Sequence, residues 1–308
     1  MRAAHGPHPG VSEITEADAI EPRMTGAIAY ALAALVCYGF GDVIYKRAAS
    51  AGLEADYFLM GQGWFFCPAI LAYASITGTL AFSWPALWGG VAGLIILVGF
   101  YNYSRSLQTG AVSVVAPVFR LNFIVTAALA IGWLHEPLTA QKLVAFLLAL
   151  AAGWLLLGGP LQRDSIEPAS VRRSVSQVIV ATVATGIANF CYKLGLVGGA
   201  MPKTILAAQA VVFTGLMTAM TYAVNRTLRP PRGFALHSGP AAVVLIAAFL
   251  FLLHGLKHGE ASVVVPIAQM GFVVAALFGT AFFDEGWSVR KVAGLSAGAG
   301  ALAFLAIG

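Results

Sequence analysis

The hydrophobic pattern of the chain consists of long apolar runs separated by short polar links. Ten of these runs reach the ~20 residues that a helix needs to cross the hydrocarbon core of a bilayer. They lie near residues 25–47, 57–77, 86–107, 111–133, 138–158, 174–197, 203–224, 238–257, 261–283 and 288–307. Because backbone polar groups in lipid must be satisfied within the segment, each run is predicted to form a transmembrane helix. The sequence therefore predicts an all-α integral membrane protein with ten transmembrane helices.

Composition agrees with this pattern and excludes several other classes of protein. Of the 308 residues, 59% are hydrophobic and 10% are charged, whereas soluble domains carry about a quarter charged residues. The net charge of +5 is spread over short links and forms no basic cluster, so nucleic-acid binding is not expected. The three cysteines are isolated within apolar runs, without the spacing of a metal or redox site. No metal or other cofactor is therefore predicted.

Two parts of the chain repeat each other. The segment "SVVAPVFRLNFIV" (113–125) matches "SVVVPIAQMGFVV" (262–274) at an offset of 149, with six identities in thirteen positions. Closer to the N-terminus the offset is 147, where "GFGDVIYK" (39–46) aligns with "GIANFCYK" (186–193). Chance similarity between apolar segments would supply shared valines but not a shared proline and lysine. The second half is therefore interpreted as a copy of the first.

Each copy contains five predicted helices, an odd number, so the two copies must cross the membrane in opposite directions. The predicted organisation is a disordered polar tail (1–23), a first five-helix repeat (24–159), a linker (160–173) and a second five-helix repeat (174–308). Inverted repeats are typical of secondary transporters, in which exchanging the shapes of the two halves opens a central site to either side of the membrane.

The repeated segments also resemble a known family. Residues 110–159 and 259–308 each place a small residue and a proline at the opening of a helix, then an apolar run, a glutamate and a Gly/Ala-rich helix. This arrangement resembles the EamA-type ten-helix carriers of the drug/metabolite transporter superfamily. The resemblance implies a transporter in the cell membrane, the inner membrane if the source is bacterial, that exports or exchanges small metabolites without ATP. It implies no enzymatic activity. The link "TGTLAFSWP" (77–85) departs from the family because it lacks the basic residues often found there.

Arg120 is the most informative candidate residue because it lies near the midpoint of the fourth apolar run. A central arginine costs about 2.5–3.5 kcal/mol on insertion scales, so its guanidinium is expected to face a wet cavity or a counter-charge. One interpretation is that it binds a carboxylate or phosphate group of a substrate. The other is that it forms a buried ion pair with Asp42 on the first helix. The two interpretations are compatible.

Other polar residues inside the runs are expected to contribute to the same substrate-binding site. These are Asp42, Gln62, Asn122, Asn189, Lys193, Gln209 and Gln269. Arg120 and Gln269 occupy equivalent positions of the two repeats and are predicted to face a shared centre. Two lysines, Lys46 and Lys193, together with Arg120 outnumber the acidic Asp42, which favours an anionic or zwitterionic substrate. Helix–helix hydrogen bonding by the amides and interfacial anchoring by the lysines stay open as alternatives.

Pro117 and Pro266 lie at equivalent positions seven or eight residues into their helices. Each removes one backbone hydrogen bond and frees a carbonyl group, so both are predicted to be helix hinges. A kink needed only for packing is the alternative. The links that follow these helices, "HEPLTAQK" (135–142) and "DEGWSVRK" (284–291), are interpreted as turns with helix caps.

The predicted function is secondary transport of a small polar metabolite by alternating access, by a monomer or a homodimer. A membrane-embedded enzyme acting on a lipid is the alternative, but no constellation such as DDxxD or HExxH occurs in the sequence. Lysine and arginine counts place both termini outside by the positive-inside rule, whereas the family resemblance favours cytoplasmic termini. Cytoplasmic termini are expected, because loop charge need not be decisive in an inverted-repeat protein.

Overall fold

The computed structural model of the chain describes residues 11–78, 80, 83–109, 115, 118–157, 168–274 and 288–307. All regular structure within these ranges is helical. The helices are α1 (Val11–Ser50), α2 (Ala55–Ile76), α3 (Leu87–Thr109), α4 (Asn122–Leu134), α5 (Ala140–Leu157), α6 (Pro168–Val197), α7 (Pro202–Asn225), α8 (Ala235–His258), α9 (Ala261–Gln269) and α10 (Val289–Ile307). A short 3₁₀ turn at Trp84–Ala86 precedes α3.

Seven helices in the described ranges are long and apolar enough to cross a membrane. They are Thr25–Ser50, Ala55–Ile76, Trp84–Gln108, Arg172–Val197, Pro202–Asn225, Ala235–His258 and Val289–Ile307. Three shorter apolar helices accompany them, namely Val118–Leu134, Ala140–Leu156 and Ala261–Val274. The predicted all-helical membrane architecture is therefore confirmed, whereas the count of ten transmembrane helices stays a prediction.

Helix α1 begins at Val11, well before its apolar part, which begins at Thr25. Helix α1 thus includes residues of the segment 1–23 that the sequence predicts as a disordered polar tail, and the predicted division into domains stays a prediction. The physical reason lies in the local sequence. Residues 11–23 contain glutamates and alanines, which favour helix, and they extend a helix whose nucleation has already occurred in the apolar part.

The helices pack in pairs that join the two halves of the chain. Helix α1 lies along α8, and α3 lies along α6. Helix α2 contacts α7, α4 contacts α9, and α5 contacts α10. Helix α1 also contacts α9, and α4 also contacts α6. Helices α1, α4, α6 and α9 therefore surround one central region of the bundle.

Glycines allow the closest of these helix contacts. A Cβ atom built on Gly93 of α3 would lie 2.6 Å from the backbone oxygen of Gln209 on α7. Where α1 crosses the residues that follow α9, a Cβ on Gly39 would lie 3.0 Å from the backbone oxygen of Gly271. Membrane helices approach each other this closely only where side chains are small.

Gly93→Ala is expected to destabilise the protein, because the added methyl group would collide with the backbone of α7. We expect a loss of about 1–3 kcal/mol, the usual cost of overpacking. Gly215→Ala is the matched control, since a Cβ at Gly215 of α7 has no neighbour within 4 Å. Thermal unfolding of the purified protein in detergent measures both variants. A Gly93→Ala protein as stable as the wild type would contradict the close contact.

Candidate functional site

Two helices of the bundle are interrupted at equivalent positions of the repeated segments. Leu121 separates the helical residues 118–120 from α4, and Met270 separates α9 from the helical residues 271–274. Each interruption is spanned by tighter, 3₁₀-type backbone hydrogen bonds. These bonds join Leu121 N to Val118 O (3.1 Å), Ile124 N to Leu121 O (2.9 Å), Met270 N to Ile267 O (3.1 Å) and Val273 N to Met270 O (2.9 Å). The interruptions therefore directly follow Arg120 and Gln269.

The interruption in the second half lies four residues after Pro266, which is inside α9. The sequence predicts a hinge at the proline itself, where a backbone hydrogen bond is missing. In the structure the helix continues past Pro266 and ends at Gln269. Pro117, the other predicted hinge, lies outside the described residues. The hinge role of both prolines stays a prediction.

Arg120 is 3% exposed, and its partners come from α1, from α9 and from the neighbouring residue Phe119. Its Nη2 forms an ion pair with the Asp42 carboxylate on α1, and its Nη1 donates a hydrogen bond of 2.8 Å to Gln269 Oε1. The guanidinium carbon lies 5.7 Å from the ring centre of Tyr38 and 5.8 Å from that of Phe119, within the range of a cation–π interaction. Both interpretations of Arg120, as an ion-pair partner and as a residue facing a cavity, are compatible with this position.

Asn122 extends the polar network toward α6. Its Nδ2 donates hydrogen bonds to the Phe119 carbonyl (2.8 Å) and to Gln269 Oε1 (3.2 Å), while its Oδ1 accepts one from Asn189 Nδ2 (3.3 Å). Five of the predicted site residues are thus joined in one network. In order along the network they are Asp42, Arg120, Gln269, Asn122 and Asn189.

This network borders a cavity of about 30 Å³. Six aromatic rings line it together with the polar residues, and they are Tyr38, Tyr45, Phe100, Tyr103, Phe119 and Phe249. A cavity of this size holds about two water molecules. Binding sites for metabolites are usually roughly 300–1,000 Å³. The central region is therefore closed around its own side chains, and a metabolite would enter only if helices moved apart.

Gln62 and Gln209 lie next to this cavity, but the side-chain oxygen of each accepts a hydrogen bond from a tyrosine. Tyr45 Oη donates to Gln62 Oε1 (2.6 Å), and Tyr192 Oη donates to Gln209 Oε1 (2.9 Å). The two glutamines border a second, smaller cavity of about 10 Å³. Both tyrosines precede the repeated lysines in "DVIYK" and "NFCYK", a signal that the sequence analysis left unused.

Lys193 is not brought to the central cavity. Its Nζ donates hydrogen bonds to the carbonyl oxygens of Leu256 (2.9 Å) and Gly259 (2.6 Å), at the C-terminal end of α8. A lysine in this position compensates the negative end of the helix dipole. Its predicted substrate contact would require a movement away from α8.

Lys193 belongs to a polar cluster at the end of the bundle where α4 and α8 end and α9 begins, called here the closed end. Both carboxylate oxygens of Glu136 accept hydrogen bonds of 2.8 Å, from the backbone amides of Ala261 and Ser262. Glu136 thereby caps α9, a helix of the other half of the chain. The sequence around Glu136 predicts a local turn and helix cap, and no local signal indicates the long-range contact with Ala261 and Ser262.

Lys142 forms the centre of the closed end and is 2% exposed. Its Nζ forms an ion pair with Glu260 and donates to the Pro137 carbonyl (2.8 Å) and to Ser262 Oγ (3.0 Å). Buried charges are tolerated when they are paired and hydrogen-bonded in this way. Within the described ranges, no three His, Cys, Asp or Glu side chains lie where they could hold a metal ion.

Fold and site together define a helical membrane protein whose polar centre lies beside two interrupted helices. Residues 25–158 match the model of the EamA-like transporter family. This match supports the resemblance of the sequence to the drug/metabolite transporter superfamily, and the chain is a multi-pass membrane protein. Members of this family are membrane transporters of small molecules, which is the broad class of function that the match supports.

The fold has counterparts among solved structures. A crystal structure described only as "Crystal structure of protein" is similar with a TM-score of 0.74 at 15% sequence identity. The similarity covers 90% of this chain and 95% of that one. At this level of identity the similarity shows the fold alone. No curated protein matches the chain.

Asp42→Asn is expected to destabilise the protein, because it leaves the Arg120 guanidinium buried without its counter-charge. Breaking a buried ion pair costs about 3–5 kcal/mol. The double variant Asp42→Asn/Arg120→Gln carries the side chains that the second repeat has at the equivalent positions, Asn189 and Gln269. It is expected to recover most of the loss, because no buried charge remains. Unfolding in detergent measures this recovery, and a double variant less stable than Asp42→Asn alone would contradict it.

Proposed function

We propose that the protein is a secondary transporter that exports or exchanges a small anionic or zwitterionic metabolite, such as an amino acid or an organic acid, by alternating access. The observation that carries this proposal is Arg120, a permanent charge that borders a cavity beside two interrupted helices. Discontinuous helices at the centre of a transporter commonly bind substrate and ions. The family match supports the broader class, transport of small molecules across a membrane.

The charge balance of the centre supports this substrate class. A guanidinium is a planar donor suited to a carboxylate or phosphate group. Asp42 already neutralises Arg120, and its side chain is 20% exposed, so a second charged group can reach the pair once the helices move apart. A zwitterion leaves the net charge of the site at zero. Its carboxylate would bind Arg120 and its ammonium group would bind Asp42.

The helix contacts support two inverted repeats. When each helix is replaced by its counterpart in the other half, the α1–α8 pair becomes the α6–α3 pair, and the α1–α9 pair becomes the α6–α4 pair. The hydrogen bond of Tyr45 to Gln62 likewise becomes that of Tyr192 to Gln209. Each repeat would supply five helices to a total of ten.

The two ends of the bundle differ in the way that alternating access requires. Lys193 is bound to the end of α8 at the closed end, whereas its counterpart Lys46 is exposed at the other end. Positions 107 and 110 are the repeat counterparts of Leu256 and Gly259, whose carbonyl groups bind Lys193. In the opposite state we expect Lys46 to bind the carbonyl groups at these two positions. The counterpart of Glu260 is Ala111, so the ion pair with lysine can form at the closed end alone. The ion pair of Lys142 with Glu260 therefore favours the conformation described here when no substrate is bound.

Arg120→Ala is expected to reduce transport at least about tenfold, because it removes the charge that attracts and orients the substrate anion. Uptake and counterflow of labelled L-alanine, L-phenylalanine, L-aspartate, L-lactate and succinate into proteoliposomes measure this effect. Arg105→Ala is the control, because Arg105 is an exposed arginine on α3. The Asp42→Asn/Arg120→Gln variant tests the same loss with no charge left unpaired. Wild-type rates in both Arg120 variants would contradict the proposal.

Lys142→Met is expected to open the closed end, because it removes the cation that holds Glu260 and Ser262. Hydrogen exchange of the first turn of α9 should become about tenfold faster or more, as expected when local opening becomes easier. Lys291→Met is the matched control, because Lys291 is the repeat counterpart at the other end. Equal exchange of this turn in the wild type and Lys142→Met, or equal acceleration in both variants, would contradict a gate at this end.

A further inference from the structure

Two buried polar atoms of the central cavity have no hydrogen-bond partner in the part of the chain that the structure describes. They are Nε of Arg120 and Oγ1 of Thr185. Both residues line the central cavity, and they are 3% and 4% exposed. Buried polar groups in proteins are nearly always satisfied, and an unsatisfied one costs about 1–3 kcal/mol. Two such atoms at one cavity can accept a partner that the described residues do not supply.

The other nitrogens of Arg120 are already used. Nη2 is paired with Asp42 and Nη1 with Gln269. Each Nη nitrogen thus has a partner for one of its two N–H groups, whereas the single Nε–H has no partner in the described residues. A ligand that binds there does not need to break the ion pair with Asp42.

Thr185 differs from three other buried threonines of the helices. Thr126, Thr182 and Thr221 each donate to the carbonyl oxygen four residues earlier, which is the usual arrangement for a threonine in a helix. For Thr185 this bond is missing. Gly99 on α3 is adjacent, and a Cβ at that position would lie 2.7 Å from Oγ1. The absence of a side chain at Gly99 leaves room for the hydroxyl group beside α3.

The repeat relationship explains why the open position lies on α6. Thr185 and Asn189 are the counterparts of Tyr38 and Asp42 on α1. Tyr38 fills its position with a ring that lies near Arg120, whereas threonine at the equivalent place is smaller and leaves space. The smaller residue of this pair therefore lines the cavity on the side of the second repeat.

We propose that Arg120 Nε and the Thr185 hydroxyl form a subsite that binds one carboxylate oxygen of the transported metabolite. The inference rests on the proposed transport function and assigns Thr185 a role in specificity. The Nε–H and one hydroxyl donor suit a carboxylate oxygen. The Asp42 carboxylate, paired with the same guanidinium, disfavours a doubly charged phosphate. The aromatic rings of the cavity contact the remainder of the molecule.

Thr185→Val tests the subsite because it keeps the shape of the side chain and removes the hydroxyl group. For L-alanine, L-phenylalanine and L-lactate in proteoliposomes, we expect the half-saturation concentration to rise about tenfold or more, as for loss of a hydrogen bond to a charged group. Thr185→Ser should restore the wild-type value. Thr221→Val is the control, because its hydroxyl is bound to the Met217 carbonyl on α7. Ethylamine and phenethylamine lack the carboxylate. They should therefore inhibit transport of the labelled substrates to the same extent in the wild type and in Thr185→Val.

The outcomes separate this inference from the proposed function. Transport that depends on Arg120 but has the same half-saturation in Thr185→Val and the wild type overturns the subsite and leaves the transport function intact. A Thr185→Ser protein as impaired as Thr185→Val also overturns it. If wild-type protein transports none of the labelled carboxylates, the proposed function and the subsite are both overturned.

Discussion

The ion pair between Arg120 and Asp42 is the interaction on which the centre of this protein depends. An arginine in the middle of a membrane cannot remain without a counter-charge, so α4 must present it to α1 and α9 rather than to lipid. The contacts of its guanidinium with Asp42, Gln269 and two aromatic rings satisfy that requirement. The interruption at Leu121, directly after Arg120, separates the helical residues 118–120 from α4 beside this group of partners. The position of three helices therefore follows from one charge.

A shared framework surrounds this pair, but its chemistry differs between the halves. The tyrosine–glutamine hydrogen bonds and the two helix interruptions occur in both. Three pairs of cavity residues differ, and they are Tyr38 and Thr185, Asp42 and Asn189, and Arg120 and Gln269. At each of them the first half has the larger or charged side chain and the second half has a smaller or neutral one. The shared features are geometric, while the differing ones determine what the cavity can bind.

The sequence predicted the features that depend on a single segment or on comparison of the two halves. Apolar run length predicted the helices, and the repeat alignment predicted that Arg120 and Gln269 face each other, which is a hydrogen bond in the structure. Contacts across unrelated segments could not be predicted this way. The bond of Glu136 to α9, the position of Lys193 at the end of α8 and the missing helix bond of Thr185 depend on how helices pack, which local patterns do not determine.

The cap that Glu136 supplies to α9 has a consequence for the order in which the protein is made. The backbone amides of Ala261 and Ser262 lie at the start of a helix, and no residue of their own half accepts their hydrogen bonds in the described structure. Their acceptor is synthesised more than a hundred residues earlier and is present when α9 leaves the ribosome. The N-terminal half thus supplies an acceptor that the C-terminal half would lack if it were made alone.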